Sequence, residues 1–131
     1  MASEINPFLM FARGAETAMN FYLSLFPGSR IETLVHFDAT GPGTEGSVKQ
    51  ATLSLLGRRF EFFDSPVRHA FDFTPAISFA VACESIEEVD RLFTALSDGG
   101  QVLMGLDAHH FARRFGWVND RFGVSWQLRF V

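Results

Sequence analysis

Two adjacent histidines, one carboxylate inside a run of phenylalanines and a pair of tryptophans are the residues through which this chain could do chemistry. His109 and His110 are neighbours, so on a regular strand they point to opposite faces and cannot chelate one ion together. With Asp107 they fit a loop over a cavity that supplies an acid, a base or a ligand contact. They also fit a plain solvated loop. Glu61 stands in Arg59-Phe60-Glu61-Phe62-Phe63. A carboxylate facing an aromatic-walled cup is a candidate general base or hydrogen-bond anchor; a salt bridge to Arg59 or Arg129 on the same face is the alternative. Trp117 and Trp126 could stack on a flat ligand, but Trp126 has the parity of a packed face and reads as core. His36 and His69 are isolated and read as surface residues. Cys83 is the sole cysteine, which excludes an intramolecular disulfide and a thiolate cluster for zinc.

The elements that must position these residues follow from hydrophobic period. Residues 7–12 are a short apolar run and read as a buried strand. Ala15, Ala18, Met19, Tyr22, Leu23 and Phe26 recur at helical spacing, and Pro27-Gly28 stops that helix. Strands are predicted at 30–37, 47–55 and 59–64, the last two joined tightly around Gly57. A loop over 65–75 resets the pattern, and 76–83 is again a short apolar strand. Ser85-Ile86-Glu87-Glu88 is a capping box at the start of a helix whose stripe is Ile86, Val89, Leu92, Phe93 and Leu96. Gly99-Gly100 ends it, and strands follow at 101–106, 113–119 and 124–130. The order is strand, helix, three strands, twice over: an α+β chain with one module at about 5–64 and a second at about 76–131.

Each half alone would leave open sheet edges, and pairing the halves around a cupped cavity would cover them. Alternation sorts the faces. Ala51, Leu53 and Leu55 oppose Gln50, Thr52 and Ser54; Phe60 and Phe62 oppose Arg59, Glu61 and Phe63; Trp126, Leu128 and Phe130 oppose Ser125, Gln127 and Arg129. The apolar sides should pack under the helices and the mixed sides should face the cavity, unless they are merely a solvated sheet face.

Composition sets the outer bounds. A chain of 131 residues is the size of one domain and needs neither disulfide nor metal to hold a core. Sixteen phenylalanines make the interior unusually aromatic, enough for some to line a ligand site. A net charge of −4 with no basic cluster argues against nucleic acid and against an anionic membrane surface. The N-terminus lacks the pattern of a secretory signal, and no apolar stretch is long enough to span a bilayer, so a cytoplasmic location is expected.

The segments Pro7-Phe8-Leu9-Met10-Phe11, Ala15 to Tyr22, Leu25 to Ser29, Pro75 to Phe79, and above all Gly116 to Leu128 resemble the PhnB-like proteins. These form a branch of the vicinal-oxygen-chelate superfamily, also called the glyoxalase/bleomycin-resistance fold. The resemblance covers nearly the whole chain. It implies a single domain over 1–131 made of two tandem βαβββ modules, an eight-stranded, cupped and partly open barrel, and a homodimer. Metal-dependent relatives place ligands early and late in each module. Carried across, those positions are Pro7 and Ala76, Glu61 and Gln127, and two of these four have no side-chain donor. The resemblance therefore implies no metal and no cofactor here. Members of this branch often carry the label demethylubiquinone methyltransferase, yet no strand ends in a glycine-rich loop that could cradle a nucleoside.

The expected function is metal-free binding or sequestration of a small apolar or aromatic molecule. The alternative is a lyase, isomerase or dioxygenase of the superfamily working with atypical ligands or acid–base residues. In the expected site Glu61 and Gln127 hold the polar end of the ligand. Leu9, Phe11 and Phe63 touch its apolar part, and Gln50, Trp117 and His109 complete the lining.

Overall fold

The computed structural model describes residues 1–131. Its elements are β1 (Phe8–Phe11), α1 (Ala15–Leu25), β2 (Arg30–His36), β3 (Val48–Leu55), β4 (Arg58–Asp64), β5 (Phe79–Ala82), α2 (Ile86–Ser97), β6 (Gln101–His109), β7 (Ala112–Asn119) and β8 (Ser125–Phe130). The chain divides into two compact units, Met1–Ala70 and Phe71–Val131. Each holds one β-α-β-β-β module, so the repeat read from the sequence is the repeat of the structure.

In module one the four strands run in the order β1-β4-β3-β2, with β1 parallel to β4 and the other pairs antiparallel. Helix α1 covers one side of this sheet, over β3 and β4. Ala15, Ala18, Met19 and Tyr22 on its inner stripe are fully buried against Ala51, Leu53 and Phe62. Phe62 is the centre of that core: Phe11 stacks on it with ring centroids 5.8 Å apart, and Tyr22 tilts against it at 6.1 Å. Burying a side chain of this size contributes about 2–3 kcal/mol. Phe60 to Phe63 alternate inside and outside, and that alternation fixes which way Glu61 points.

Module two repeats the order as β5-β8-β7-β6, again with the first strand parallel to the last. Val89, Leu92 and Leu96 of α2 are buried on a sheet side that carries Val118, Trp126 and Leu128. Gly116 allows the close fit of this layer. A methyl group there would stand 2.5 Å from the Phe93 ring, so the ring occupies the space a side chain would need.

Two boundaries differ from the sequence reading by more than one residue. Strand β5 is shorter than 76–83, because Pro75 and Ala76 form a turn that leaves Ile77 exposed before pairing starts at Phe79. Strand β6 runs on to His109 rather than ending near Leu106, since its partner β7 offers backbone as far as Ala112. His109 and His110 therefore belong to a tight β6–β7 hairpin, not to a free-standing loop, and Asp107 lies within the strand. No helix is long and apolar enough to cross a membrane.

Candidate functional site

The sheet face of module one that α1 leaves open carries one row of four side chains. Register pairs Thr33 of β2 with Thr52 of β3, Thr52 with Glu61 of β4, and Glu61 with Phe8 of β1. Register partners lie on one side of a sheet, so all four project the same way. Around them Glu4, Asn6, Glu32, Thr33, Thr52, Arg59 and Glu61 line an open basin of about 560 Å³.

Charge in this basin is unevenly matched. Arg59 donates from Nε to Glu32 at 3.1 Å and from Nη1 to Glu4. Glu32 first and Glu4 second raise its pKa. Glu4 in turn is held below the usual carboxylate range by hydrogen bonds from Asn6 and from Arg59. The ion-pair alternative considered for Glu61 is thus corrected within its module, because the Arg59 guanidinium is engaged by the other two carboxylates. Glu61 is half-buried and its carboxylate makes no hydrogen bond or ion pair; only its backbone is bonded, N–H to Pro7 O at 2.9 Å. Gln50 is exposed and lies beside the row, donating to Thr33 at 2.9 Å and to Thr52 at 3.0 Å.

Leu9 and Phe11 are not on this face. They pair with Phe62 and Asp64, and both are buried on the α1 side. The reason is parity: in parallel pairing with β4, the odd residues of β1 share the side of Phe62, so Phe8 and Met10 are the β1 residues beside Glu61 and Phe63. Phe63 is half-buried on the open side, its ring 6.1 Å from Phe8 and 6.4 Å from Phe37.

In module two the corresponding row is Met104, Trp117, Gln127 and Ala80. Here both polar side chains on the row have a bonded N–H. Trp117 Nε1 donates to Ser125 Oγ at 2.8 Å, and Gln127 Nε2 donates to Ser78 Oγ at 2.9 Å. The side chain that meets Gln127 is thus Ser78. Ala76, the early position implied by the family resemblance, lies in the turn before β5. His109 stacks on Phe111 at 5.1 Å and meets the edge of Phe115 at 5.6 Å, and its Nε2 is buried with no hydrogen-bond partner. His36 and His69 are both exposed, as the sequence suggested, but neither is isolated: His36 pairs with Glu16 and His69 contacts the Ser65 hydroxyl.

The residues present do not fit a metal of the family type. Pro7 offers only a carbonyl, and that carbonyl accepts the Glu61 N–H. No three His, Cys, Asp or Glu side chains are grouped to hold an ion.

Two buried aspartates, to which the sequence reading gave no bonding role, shape both modules. Asp64, at the end of β4, accepts from Ala15 N at 3.0 Å and Val48 N at 2.8 Å, tying the start of α1 to β3. Asp120 accepts from Phe122 N, Val124 N and Trp126 Nε1 within 3.0 Å and fixes the β7–β8 turn. The Asp120-Arg121-Phe122-Gly123 turn between the last two strands is itself legible in the sequence; no local pattern marks Asp64.

Comparison with known proteins matches this architecture. Residues 3–129 fit the family model described as 3-demethylubiquinone-9 3-methyltransferase. A solved structure from Bacillus cereus, provisionally described as a 3-demethylubiquinone-9 3-methyltransferase and PhnB protein, is 49% identical, with a TM-score of 0.95 over 98% of this chain and 100% of that one. Protein PA1353 from Pseudomonas aeruginosa is 27% identical, with a TM-score of 0.86 over 98% of each chain. The fosfomycin resistance protein FosX from Listeria monocytogenes is 11% identical over 100% of this chain and 94% of its own, and its TM-score of 0.68 shows a shared fold. No curated protein sequence matches. With a family match over residues 3–129 and a half-identical structural relative, the chain belongs to the PhnB-like family, whose family description is 3-demethylubiquinone-9 3-methyltransferase.

Proposed function

We propose that this protein is a metal-free binding or sequestration protein for a small molecule with an apolar or aromatic body, acting as a cytoplasmic homodimer. The observation that carries this reading is the row Thr33-Thr52-Glu61-Phe8. It sets one unpartnered carboxylate beside an aromatic ring on an open basin, where a metal enzyme would need several converging ligands. On the corresponding face of the second module Gln127 is bonded to Ser78.

Methyl transfer finds no support in the helix starts. In many nucleotide sites a free helix N-terminus after a strand receives phosphate or cofactor. Here the first amide of α1 is bonded by Asp64, and that of the third residue of α2 by Ser85. The dimer is inferred from the edge strands β2 and β6, which leave Val35, Val102 and Met104 exposed.

Elemental analysis after extensive dialysis should find no stoichiometric transition metal, and calorimetry with S-adenosylmethionine should give no binding heat. About one zinc, iron, nickel or manganese per chain, or saturable binding of that methyl donor, would overturn the reading. Sedimentation at micromolar concentration should give twice the 14.7 kDa chain mass; a single-chain mass removes the dimer.

A further inference from the structure

We propose that the module-one basin selects an organic monocation, a protonated amine or quaternary ammonium carried on an apolar body. Glu61 is its counter-ion, and the Phe8 and Phe63 rings stand beside that carboxylate on the same sheet face, at the margin of the residues that line the basin. The inference rests on the small-molecule reading above and adds the charge of the ligand.

Three observations converge on this sign. The basin holds three carboxylates, Glu4, Glu32 and Glu61, against the Arg59 guanidinium, with Arg30 reaching Glu32 at 3.6 Å from outside the lining. Arg59 is already shared by Glu32 and Glu4, so no free cation faces an incoming anion. The charge left over is the Glu61 carboxylate, half-buried and without a partner. The second observation is what stands beside it. Phe8 is its register partner and Phe63 lies two residues along the same strand face, their rings 6.1 Å apart, with Phe37 behind Phe63. Aromatic ring faces carry negative potential and attract ammonium groups, more strongly as water is excluded. The third is the other flank. Thr52, paired with Glu61 in register, has a hydroxyl that can accept an N–H from a primary or secondary ammonium.

A divalent ion is poorly served by this arrangement, since one free carboxylate leaves most of its coordination shell empty. An anion would meet an unneutralised carboxylate. A neutral hydroxyl could bond Glu61 but would leave its charge uncompensated. A monocation matches the charge, the adjacent rings and the acceptor at once.

The test is an NMR titration of the full chain with three probes of one shape: benzylammonium, benzyl alcohol and benzoate. Shifts are followed at Phe8, Thr52, Glu61 and Phe63 in low and high salt. Benzylammonium should bind about tenfold tighter than benzyl alcohol, from a charged hydrogen bond plus the ring contacts, and should weaken as salt rises. Glu61→Gln should abolish that preference, bringing benzylammonium to the affinity of benzyl alcohol in the same variant. Equal or tighter binding of benzyl alcohol or benzoate, or a preference that survives Glu61→Gln, overturns the cation inference and leaves small-molecule binding intact. If none of the three moves these resonances at millimolar concentration, the basin is not a ligand site and both readings fall.

Discussion

The same row of four residues has opposite character in the two modules. Across module one it reads Thr33, Thr52, Glu61, Phe8; across module two it reads Met104, Trp117, Gln127, Ala80. The strand order and the parallel first-to-last pairing are shared. What the fold needs from each strand is its helix-facing side, where Ala51, Leu53 and Phe62 answer to Val118, Trp126 and Leu128. The open side is released from that duty. One copy has filled it with indole and amide groups bonded to serines, and the other keeps a charge with no partner.

The helix starts differ as sharply, and they give the largest effect by which the comparison can be broken. Helix α1 begins at Gly14 with φ at 83° and no side-chain cap, and its first amide is satisfied by Asp64 from 49 residues away. Helix α2 begins with Ser85 accepting from Glu88 N, while the Glu88 carboxylate accepts from Glu84 N. Asp64→Ala strands two buried amides, on Ala15 and Val48, and should cost about 3 kcal/mol in urea unfolding. Ser85→Ala removes a local cap that Glu88 partly supports and should cost about 1 kcal/mol. If the two losses come out equal, the contrast between a long-range and a local helix start is wrong.

The open faces give the next comparison. Gln127→Ala loses a bonded amide and should cost about 1 kcal/mol, whereas Glu61→Gln, which breaks no contact, should stay within about 0.5 kcal/mol of the parent. A Glu61→Gln loss larger than the Gln127→Ala loss would show that the carboxylate has a structural partner after all. The smallest effect concerns Cys83. Burial first, and then the Glu88 charge, push its thiol up to about 11. Below pH 9 folded and unfolded chains both hold this proton. Above it the unfolded chain releases the proton first, so stability should decline as pH rises from 9 towards 11. In Cys83→Ala this part of the decline should be absent; if the two curves run parallel, the thiol is not linked to folding.

The residues legible in the sequence are those whose signals are local. The Ser85 box, the glycine turn after β3 and the alternation of Phe60 to Phe63 each lie within a few residues, and each lands where the pattern placed it. Alternation fails only where the strand is too short to carry it. Four residues of β1 contain one apolar side chain after another, so nothing in Phe8-Leu9-Met10-Phe11 says which pair faces α1. That is decided by register with β4. Asp64 is hidden for the same reason, since its partners lie at Ala15 and Val48. The His109-His110 pair reads as a loop because a hairpin continuing through two histidines and a phenylalanine lacks the glycine or asparagine that usually announces one.

The parallel pairing of β1 with β4 also carries a consequence for the order of folding. Strands β3 and β4 are joined by a turn of two residues, while Phe8 and Glu61 must be brought together across about fifty residues of chain. Closing that loop costs entropy before any contact repays it, so the β3–β4 hairpin should acquire hydrogen-exchange protection before β1 docks on it. Phe8 arrives with β1. A chain caught before that step would already own the Glu61 carboxylate but lack the ring beside it, so the proposed ligand site would be among the last features this module completes as it folds.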